Sequence, residues 1–401
     1  MFPKSVLLNK SDSDINLIVH GQGVFIFENH SNACSFRILT NDKKDGYVVN
    51  YTPQNIIVDR INMSSPLIDP NNKIGLSSKN GAYYWFSIDS QNQTFRAGIG
   101  EARIETQNYF YQLSHSDKLF LESLTSIQCL PSQPIQPSRL LRDPITLKVP
   151  LVVKKTKELT MHHIAISQFL PKANLSSISQ ILYECIAGEN FTLDDPDFPE
   201  FTKAIEHSIA TKGCWCNKRL EEKSTEFNKD KPNILETYLR ITLGQNNGES
   251  PGIPYVMEIW PKGHFSPVHS HAGANAVIRV LNGTININLY PFLCNDKTGV
   301  DPFLNVNLGK DEITWISTNL NQIHQLKNLE TSKDTCITIQ CYMYDQNNNY
   351  HYDYFDYIDD DGKKQQYEPD SDMDFIEFKK LMKREWSEFK NTVKTCKWCC
   401  F

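Results

Sequence analysis

The chain has 401 residues, of which 40% are hydrophobic and 22% are charged, and its formal net charge is −6 at pH 7. This composition is ordinary for a globular protein of two or three domains, and the acidic balance argues against a nucleic-acid partner. No window reaches the length of a membrane-spanning helix, and the first residues lack the pattern of a signal peptide. The eleven cysteines follow no repeated framework, so we predict reduced thiols in a cytoplasmic protein.

Residues 1–150 have the pattern of an all-β domain. Short alternating or aromatic runs recur between turn signals such as Asp45-Gly46 and Asn80-Gly81. This pattern predicts a β-sandwich-like accessory domain. It contains no metal-ligand or nucleophile constellation, so an interaction role is favoured over a specific ligand site. A protein or glycan partner of this domain is left open.

A proline-spaced stretch then predicts a domain boundary, at Pro131, Pro134, Pro137 and Pro144. Residues 151–174 are interpreted as a linker with a strand, and residues 175–350 as a second domain. In that domain, helical spacing predicts helices over 175–187 and 198–209, and strand patterns return after residue 236.

The last predicted part of the chain is 351–401. The acidic, tyrosine-rich segment 347–362 is predicted to be an exposed loop. An amphipathic helix follows, with apolar residues at i, i+3 and i+4 spacing: Phe375, Phe378, Leu381, Met382, Trp386, Phe389 and Val393. Packing of this helix onto the body of the protein is favoured over a partner or membrane contact. The terminal cysteines lack the spacing of a zinc finger.

Segment 260–283 is the most informative stretch, and it reads WPKGHFSPVHSHAGANAVIRVLNG. Residues two apart in a strand point to the same face, so His269 and His271 are predicted to project together. Two ligands of one metal ion must do this. The Asn282-Gly283 dipeptide is a hairpin signal, and an alternating strand follows it.

A catalytic metal site needs a third protein ligand. No acidic residue follows the histidine pair closely, so the third ligand must come from elsewhere. His324 is the best candidate, because it lies between a turn-prone stretch and another strand pattern. An isolated H-x-H is more often a pair of surface or core histidines, but its neighbours and His324 together favour a metal site.

The chain resembles the cysteine dioxygenase family over about residues 175–345. The family pattern W-x-x-G-H-x-S-x-x-H-x-H, followed by a glycine-ended strand, is matched by Trp260, Gly263, His264, Ser266, His269, His271 and Gly283. The resemblance implies a mainly β chain in which a cupin, or jelly-roll β-barrel, domain follows the N-terminal domain. Helices precede the barrel, and the C-terminal helix follows it.

The resemblance also implies roles for individual residues. His269, His271 and His324 match the ligands of a non-haem Fe(II) ion. Arg240 matches the arginine that holds the substrate carboxylate, a task that suits its forked donors. Tyr238 shares that pocket. Read without the family, Arg240 and Tyr238 are ordinary strand residues, and His264 and Trp260 are expected to be structural.

Two positions depart from the family pattern. Ala276 stands where some members carry a cysteine that is cross-linked to an active-site tyrosine, so no thioether can form there. Tyr342 matches that tyrosine. Gln340 replaces a histidine beside it, which removes a titratable partner and keeps a hydrogen-bonding one.

The implied reaction is the oxidation of L-cysteine by O₂ to cysteine sulfinate, a step of cysteine catabolism and taurine biosynthesis. The expected partners are therefore a small thiol amino acid and O₂. Three alternatives stay open. They are the same reaction on another thiol carboxylate such as 3-mercaptopropionate, a non-catalytic metal-binding cupin with a sensing or scaffold role, and zinc in place of iron.

Overall fold

A computed structural model describes residues 5–63, 66–68, 74–130, 135–244, 255–344 and 354–398. The chain divides into two compact units. Unit 1 comprises Met1–Val149 and Pro291–Phe303, and unit 2 comprises Pro150–Tyr290 and Leu304–Phe401. In the described part of the chain, no helix is long and apolar enough to cross a membrane.

Unit 1 is built from two antiparallel sheets. Its elements are β1 (Ser5–Leu7), β2 (Asp14–Asn16), β3 (Gln22–Asn29), β4 (Cys34–Thr40), β5 (Gly46–Tyr51), β6 (Ile56–Arg60), β7 (Tyr83–Asp89), β8 (Thr94–Ile99), β9 (Gln107–Gln112), α1 (Lys118–Glu122), β10 (Leu124–Cys129) and β11 (Ile135–Leu141). One sheet has the order β1-β11-β3-β7-β8-β9, and the other has the order β2-β10-β4-β5-β6.

The core of unit 1 is aromatic and draws on both of its sheets. Phe36 of β4 packs edge-on against Phe25 and Phe27 of β3, with ring centroids 5.1 Å and 5.6 Å away. Phe86 of β7 meets Phe36 from the same side as β3. Edge-to-face contacts of this kind add to the free energy gained by burial. The predicted sandwich-like β domain is confirmed.

Unit 2 combines helices with two further sheets. Its elements are β12 (Val153–Lys154), α2 (Met161–Ala165), β13 (Leu170–Pro171), α3 (Ser177–Ile186), α4 (Phe201–Ala210), α5 (Trp215–Glu222), β14 (Leu239–Leu243), β15 (Tyr255–Trp260), β16 (Val268–Ser270), β17 (Asn275–Asn282), β18 (Thr284–Leu289), β19 (Leu304–Gly309), β20 (Ile313–Ile316), β21 (Ile323–Lys327), β22 (Cys336–Met343), β23 (Phe355–Ile358), β24 (Lys364–Tyr367), β25 (Met373–Asp374) and α6 (Phe375–Trp398).

The eight-stranded sheet of unit 2 has the order β13-β12-β20-β17-β22-β15-β14-β25, and the six-stranded sheet has the order β19-β18-β21-β16-β23-β24. Pairing is antiparallel except between β12 and β13 and between β14 and β25. The mainly β fold with helices before the sheets and a helix after them is confirmed. Among the described residues, the hydrogen bonds form two separate sheets and not one closed ring.

The prediction of a hairpin at Asn282-Gly283 is wrong. β17 pairs with β20 and β22, whereas β18 pairs with β19 and β21, so the chain passes from one sheet to the other at this dipeptide. Gly283 has φ +72°, and a Cβ there would lie 2.8 Å from the Thr335 carbonyl oxygen. The glycine is therefore needed for the change of sheet, a use that the dipeptide alone does not distinguish from a hairpin turn.

The prediction of an exposed loop over 347–362 is also wrong where the structure describes it. Residues 345–353 lie outside the described part of the chain. β23 begins at Phe355, pairs with β16 and β24, and buries Tyr357 to 7% exposure. The acidic residues of the segment suggested solvent, but its aromatic side chains decide the packing.

The predicted C-terminal helix is present as α6, and it packs within unit 2. Phe378 and Met382 are fully buried. Phe378 lies edge-on to Phe201 of α4, with ring centroids 5.9 Å apart, and Trp386 donates a hydrogen bond to Glu200. The sequence favoured packing of this helix onto the body of the protein, and the structure shows this packing.

Candidate metal centre

His269, His271 and His324 come together in unit 2. His269 lies on β16 and His324 on β21, and the two residues are direct partners in the antiparallel register. His271 follows the end of β16. The ring centroid of His324 is 4.7 Å from each of the other two rings. One nitrogen from each histidine can be chosen so that all three lie within 4.8 Å of one another.

A tight turn after His271 helps to fix the cluster. Ala272 and Gly273 both have positive φ, at 50° and 77°. The Gly273 N–H donates to the side chain of Gln322 at 3.0 Å, and Gln322 donates to the Ala274 carbonyl at 2.9 Å. Because Gln322 lies two residues before His324, one amide side chain ties together the two segments that carry the histidines.

The ring nitrogens are arranged in a way that suits a cation. His269 donates its Nδ1–H to the Pro267 carbonyl at 3.0 Å, which leaves Nε2 without a proton. The Nε2 atoms of His271 and His324 are 3.1 Å apart. Two nitrogens that bind one ion at ~2.1 Å, at right angles to each other, are separated by roughly 3 Å. The donor set therefore fits one transition-metal ion.

Burial keeps these imidazoles neutral. Loss of water lowers the pKa of His269 to about 4, with a smaller opposing effect from its hydrogen bond to Pro267. Burial also lowers the pKa of His271 and of His324 well below the ordinary value, and the neighbouring imidazoles add to the effect. A metal ligand must be unprotonated, so the site is prepared for a cation at neutral pH.

The three histidines line a small cavity with eight other residues: Tyr238, Arg240, Glu258, Trp260, Leu326, Gln340, Tyr342 and Phe355. Its free volume is about 10 Å³. A volume of this size holds roughly one water molecule. The ring of Phe355 on β23 lies 4.7 Å from that of His271, so the hairpin of β23 and β24 supplies an apolar wall.

Arg240 lies on β14 inside this cavity, but its charge is already paired. Its Nη1 donates to Glu258 Oε1 at 2.9 Å, and both side chains are less than 10% exposed. Arg240 and Glu258 are direct partners in the register of β14 and β15. Burial raises the pKa of the Glu258 carboxyl, and the adjacent guanidinium opposes the rise. The guanidinium therefore has an internal counter-ion.

Tyr342 lies on β22 beside the histidines, and its ring stacks on His271 at 5.7 Å between centroids. Burial raises the pKa of its phenol well above the usual range, so the hydroxyl keeps its proton and can donate. Ala276 of β17 is its direct partner in the register. Cys341 faces away from the cavity, with its sulfur 3.3 Å from the Leu182 carbonyl of α3.

Of the remaining predicted residues, Tyr238 and Trp260 line the cavity and His264 does not. Tyr238 is buried, and its ring stacks on Trp260 with centroids 4.2 Å apart. His264 lies outside the metal-ligand cluster, where its Nδ1 is 2.9 Å from the Thr237 carbonyl oxygen. The expected structural character of His264 and Trp260 agrees with these contacts.

Three residues of the cavity were missed by the sequence interpretation: Glu258, Leu326 and Phe355. Glu258 is an acid in the otherwise apolar run YVMEIW of β15, and an acid in such a run calls for a buried partner. This signal could have been found. Phe355 gave no comparable signal, because its place beside His271 depends on the pairing of β23 with β16.

No protein-family model matches the sequence. Among solved structures, a cupin superfamily protein from Desulfitobacterium hafniense is 15% identical, over 27% of this chain and 79% of its own, with a TM-score of 0.20. The Cupin_2 domain of an XRE family transcriptional regulator from Enterobacter cloacae is 14% identical, over 27% and 98%, with a TM-score of 0.21.

A DMSP lyase from Ruegeria pomeroyi is also similar in part. It is 11% identical, over 28% of this chain and 49% of its own, with a TM-score of 0.20. These similarities cover about a quarter of this chain.

Proposed function

We propose that this protein is an iron-dependent thiol dioxygenase that converts L-cysteine to cysteine sulfinate. The observation that carries the proposal is the cluster of His269, His271 and His324 in a small cavity, with Tyr342 stacked on one imidazole. Three neutral imidazoles leave the charge of a bound dication uncompensated. A substrate that offers a thiolate and an amine suits such a centre.

The reaction balances without a further reductant. A thiol and O₂ give a sulfinate and a proton, because both oxygen atoms end on sulfur. The sulfur loses four electrons and O₂ gains four. Iron held by the three histidines would supply the binding and activation of O₂, which protein side chains do not provide.

The residues around the histidines have supporting roles in this proposal. The protonated Tyr342 hydroxyl donates a hydrogen bond toward the sulfur or the oxygen that it receives. Arg240 and Tyr238 form the polar end of the substrate pocket. Trp260, Leu326 and Phe355 exclude water, which strengthens the polar interactions inside.

The test is O₂ uptake by protein loaded with Fe(II) under anaerobic conditions. We expect uptake with cysteine, and the sulfinate product is measured by mass spectrometry. The variant His271→Ala should bind little iron and lose uptake, whereas His162→Ala changes an exposed histidine on α2 and should preserve both. Stoichiometric iron with no uptake on cysteine, cysteamine or 3-mercaptopropionate would rule the proposal out.

A non-catalytic metal-binding cupin is the second candidate, and the size of the cavity favours it. A free volume of about 10 Å³ holds no thiol amino acid unless side chains move. In that case zinc is as suitable as iron for three imidazoles. This candidate predicts tight metal binding with no change in metal-centre spectra when thiols are added.

A further inference from the structure

The buried pair of Arg240 and Glu258 determines the charge of the cavity. Apart from the three imidazoles, these two carry the charged side chains among the described residues that line it. One positive and one negative charge are joined by a hydrogen bond of 2.9 Å. Before any ligand enters, the polar end of the pocket therefore has no net charge.

The ion pair between Arg240 and Glu258 is fixed by the strand register and does not depend on how two flexible side chains happen to lie. Arg240 and Glu258 face each other in the register of β14 and β15, and β15 pairs in turn with β22, which carries Gln340 and Tyr342. The backbone N–H of Arg240 also donates to Asp372 at 2.7 Å. The strand position of Arg240 is thus held from both sides, and its guanidinium remains beside Glu258.

A substrate carboxylate meets an obstacle in such a pocket. To bind Arg240, whose Nη1 is paired and whose Nε has no partner among the described residues, it must share the guanidinium with the Glu258 carboxylate, so that one guanidinium serves two anions in a buried space. Like charges in this position are strongly unfavourable. A thiol whose other polar group is an amine brings no second anion and leaves the ion pair intact.

We propose that Glu258 is a specificity-determining residue that weakens the binding of a substrate carboxylate at this site, so that small aminothiols without a carboxylate, of which cysteamine is the simplest, are accepted in addition to L-cysteine and in preference to it. The inference rests on the proposed function and deepens it. It assigns Arg240 an internal counter-ion in place of a substrate carboxylate. L-cysteine, which has both groups, then ranks below cysteamine and above 3-mercaptopropionate.

The test compares 3-mercaptopropionate with cysteamine, which differ in carrying a carboxylate or an amine. Glu258→Gln keeps the shape of the side chain and removes its charge. We expect the ratio of kcat/KM for 3-mercaptopropionate over that for cysteamine to rise by ~100-fold, because Arg240 becomes free for a carboxylate. Glu377→Gln, an equal change at an exposed position of α6, should leave the ratio as it is.

Glu258→Gln leaves a buried guanidinium unpaired and can fail to fold, so a second variant is needed. The double variant Arg240→Gln, Glu258→Gln removes both charges and keeps two groups that can hydrogen-bond. We expect it to stay within about threefold of the wild-type ratio, because the wild-type guanidinium is already neutralised. A 100-fold loss confined to the carboxylate substrate in this variant would overturn the proposal.

A binding measurement separates this inference from the dioxygenase proposal. Zinc-loaded protein catalyses no oxidation, so calorimetric titration with each of the two thiols reports affinity alone. Glu258→Gln should tighten 3-mercaptopropionate selectively. An unchanged preference in that variant refutes the role of Glu258 even if the enzyme is active. A wild type that binds these thiols without O₂ uptake refutes the dioxygenase and not the role of Glu258.

Discussion

The three imidazoles of the candidate metal centre are neutral for a local reason. Each has exchanged water for protein, and a buried imidazolium would lie beside two other rings and near the positive Arg240. Burial and like charge therefore act in the same direction. At the scale of single residues, this affects how metal binding depends on pH, because a proton and a metal ion compete for the same nitrogen.

Metal affinity is expected to depend weakly on pH near neutrality. The pKa of His269 is lowered to about 4, and those of His271 and His324 are also lowered, so protons compete for these nitrogens only in acid. Affinity should be nearly constant from pH 8 to pH 6 and should fall below about pH 5. Competition titrations with a chromogenic chelator at each pH would measure it.

A steep loss of metal affinity near neutral pH would be the opposite result. Imidazoles with ordinary pKa values near 6.5 would already lose affinity between about pH 7.5 and pH 6, and three of them would do so steeply. A steep loss in that window would contradict the burial described for this cluster. The exposed His162 provides the comparison, since its removal should leave the profile unchanged.

The sequence could predict the histidines but not the state of Arg240. His269 and His271 are two residues apart, and the residue types alone indicate a metal. The charge available to a substrate depends on what lies across the strand pair, and no local pattern connects Arg240 to Glu258. An acid in an apolar run signals a buried partner without saying which one.

At the scale of elements, register decides which side chains meet. The pairing of β17 with β22 places Ala276 opposite Tyr342 and Ile278 opposite Gln340. Tyr342 also packs against the cluster that Ala276, Ile278 and Ile316 form. Since directly opposite side chains are the closest neighbours across a sheet, residue 276 is where a group could reach the tyrosine ring.

The variant Ala276→Cys is therefore expected to form a thioether with Tyr342 when the iron-loaded protein turns over a thiol with O₂. The cross-linked chain would be lighter by two hydrogen atoms, which intact-mass and peptide mass spectrometry detect. Ile278→Cys places the same thiol on the same face, opposite Gln340, and should give no such product. A cross-link in both variants, or in neither, would contradict the register argument.

The change of sheet after Gly283 shows where element-level prediction fails. The alternation of β18 was correctly identified as a strand, and its pairing partner was not. A strand that returns beside its predecessor and a strand that crosses to a facing sheet have the same period of two. Only the long-range pairings with β19 and β21 distinguish them.

At the scale of the whole molecule, α6 connects the end of the chain to the site. Asp372, just before this helix, accepts the backbone N–H of Arg240 and pairs with Lys223 at 3.1 Å. β25 lies parallel to β14. Docking of α6 therefore supports the strand on which Arg240 lies.

Loss of a buried α6 side chain should destabilise unit 2. Phe378 is fully buried, so Phe378→Ala is expected to lower the free energy of unfolding by about 3–5 kcal/mol. Ile376 is 56% exposed, and Ile376→Ala should change it by less than about 0.5 kcal/mol. Urea denaturation followed by tryptophan fluorescence would measure both. Equal effects would contradict the docking of α6.

Fold class was accessible from the sequence because periodicity and composition act locally. The β pattern of residues 1–150, the two helices before the strands that carry the histidines and the amphipathic helix at the end were all readable in this way. The burial of Tyr357 was not, because an acidic segment with aromatic residues is consistent with either solvent or packing until its partner strands are known.

The division into two units determines how proteolysis or truncation of the chain can separate them. Unit 1 takes Pro291–Phe303 from within the sequence span of unit 2, so the backbone passes between the units at 149/150, 290/291 and 303/304. Three peptide connections must be broken before the units come apart, and proteolysis at 149/150 alone would leave them covalently joined. A gene fragment that ends at residue 149 encodes a first unit that lacks one of its own segments.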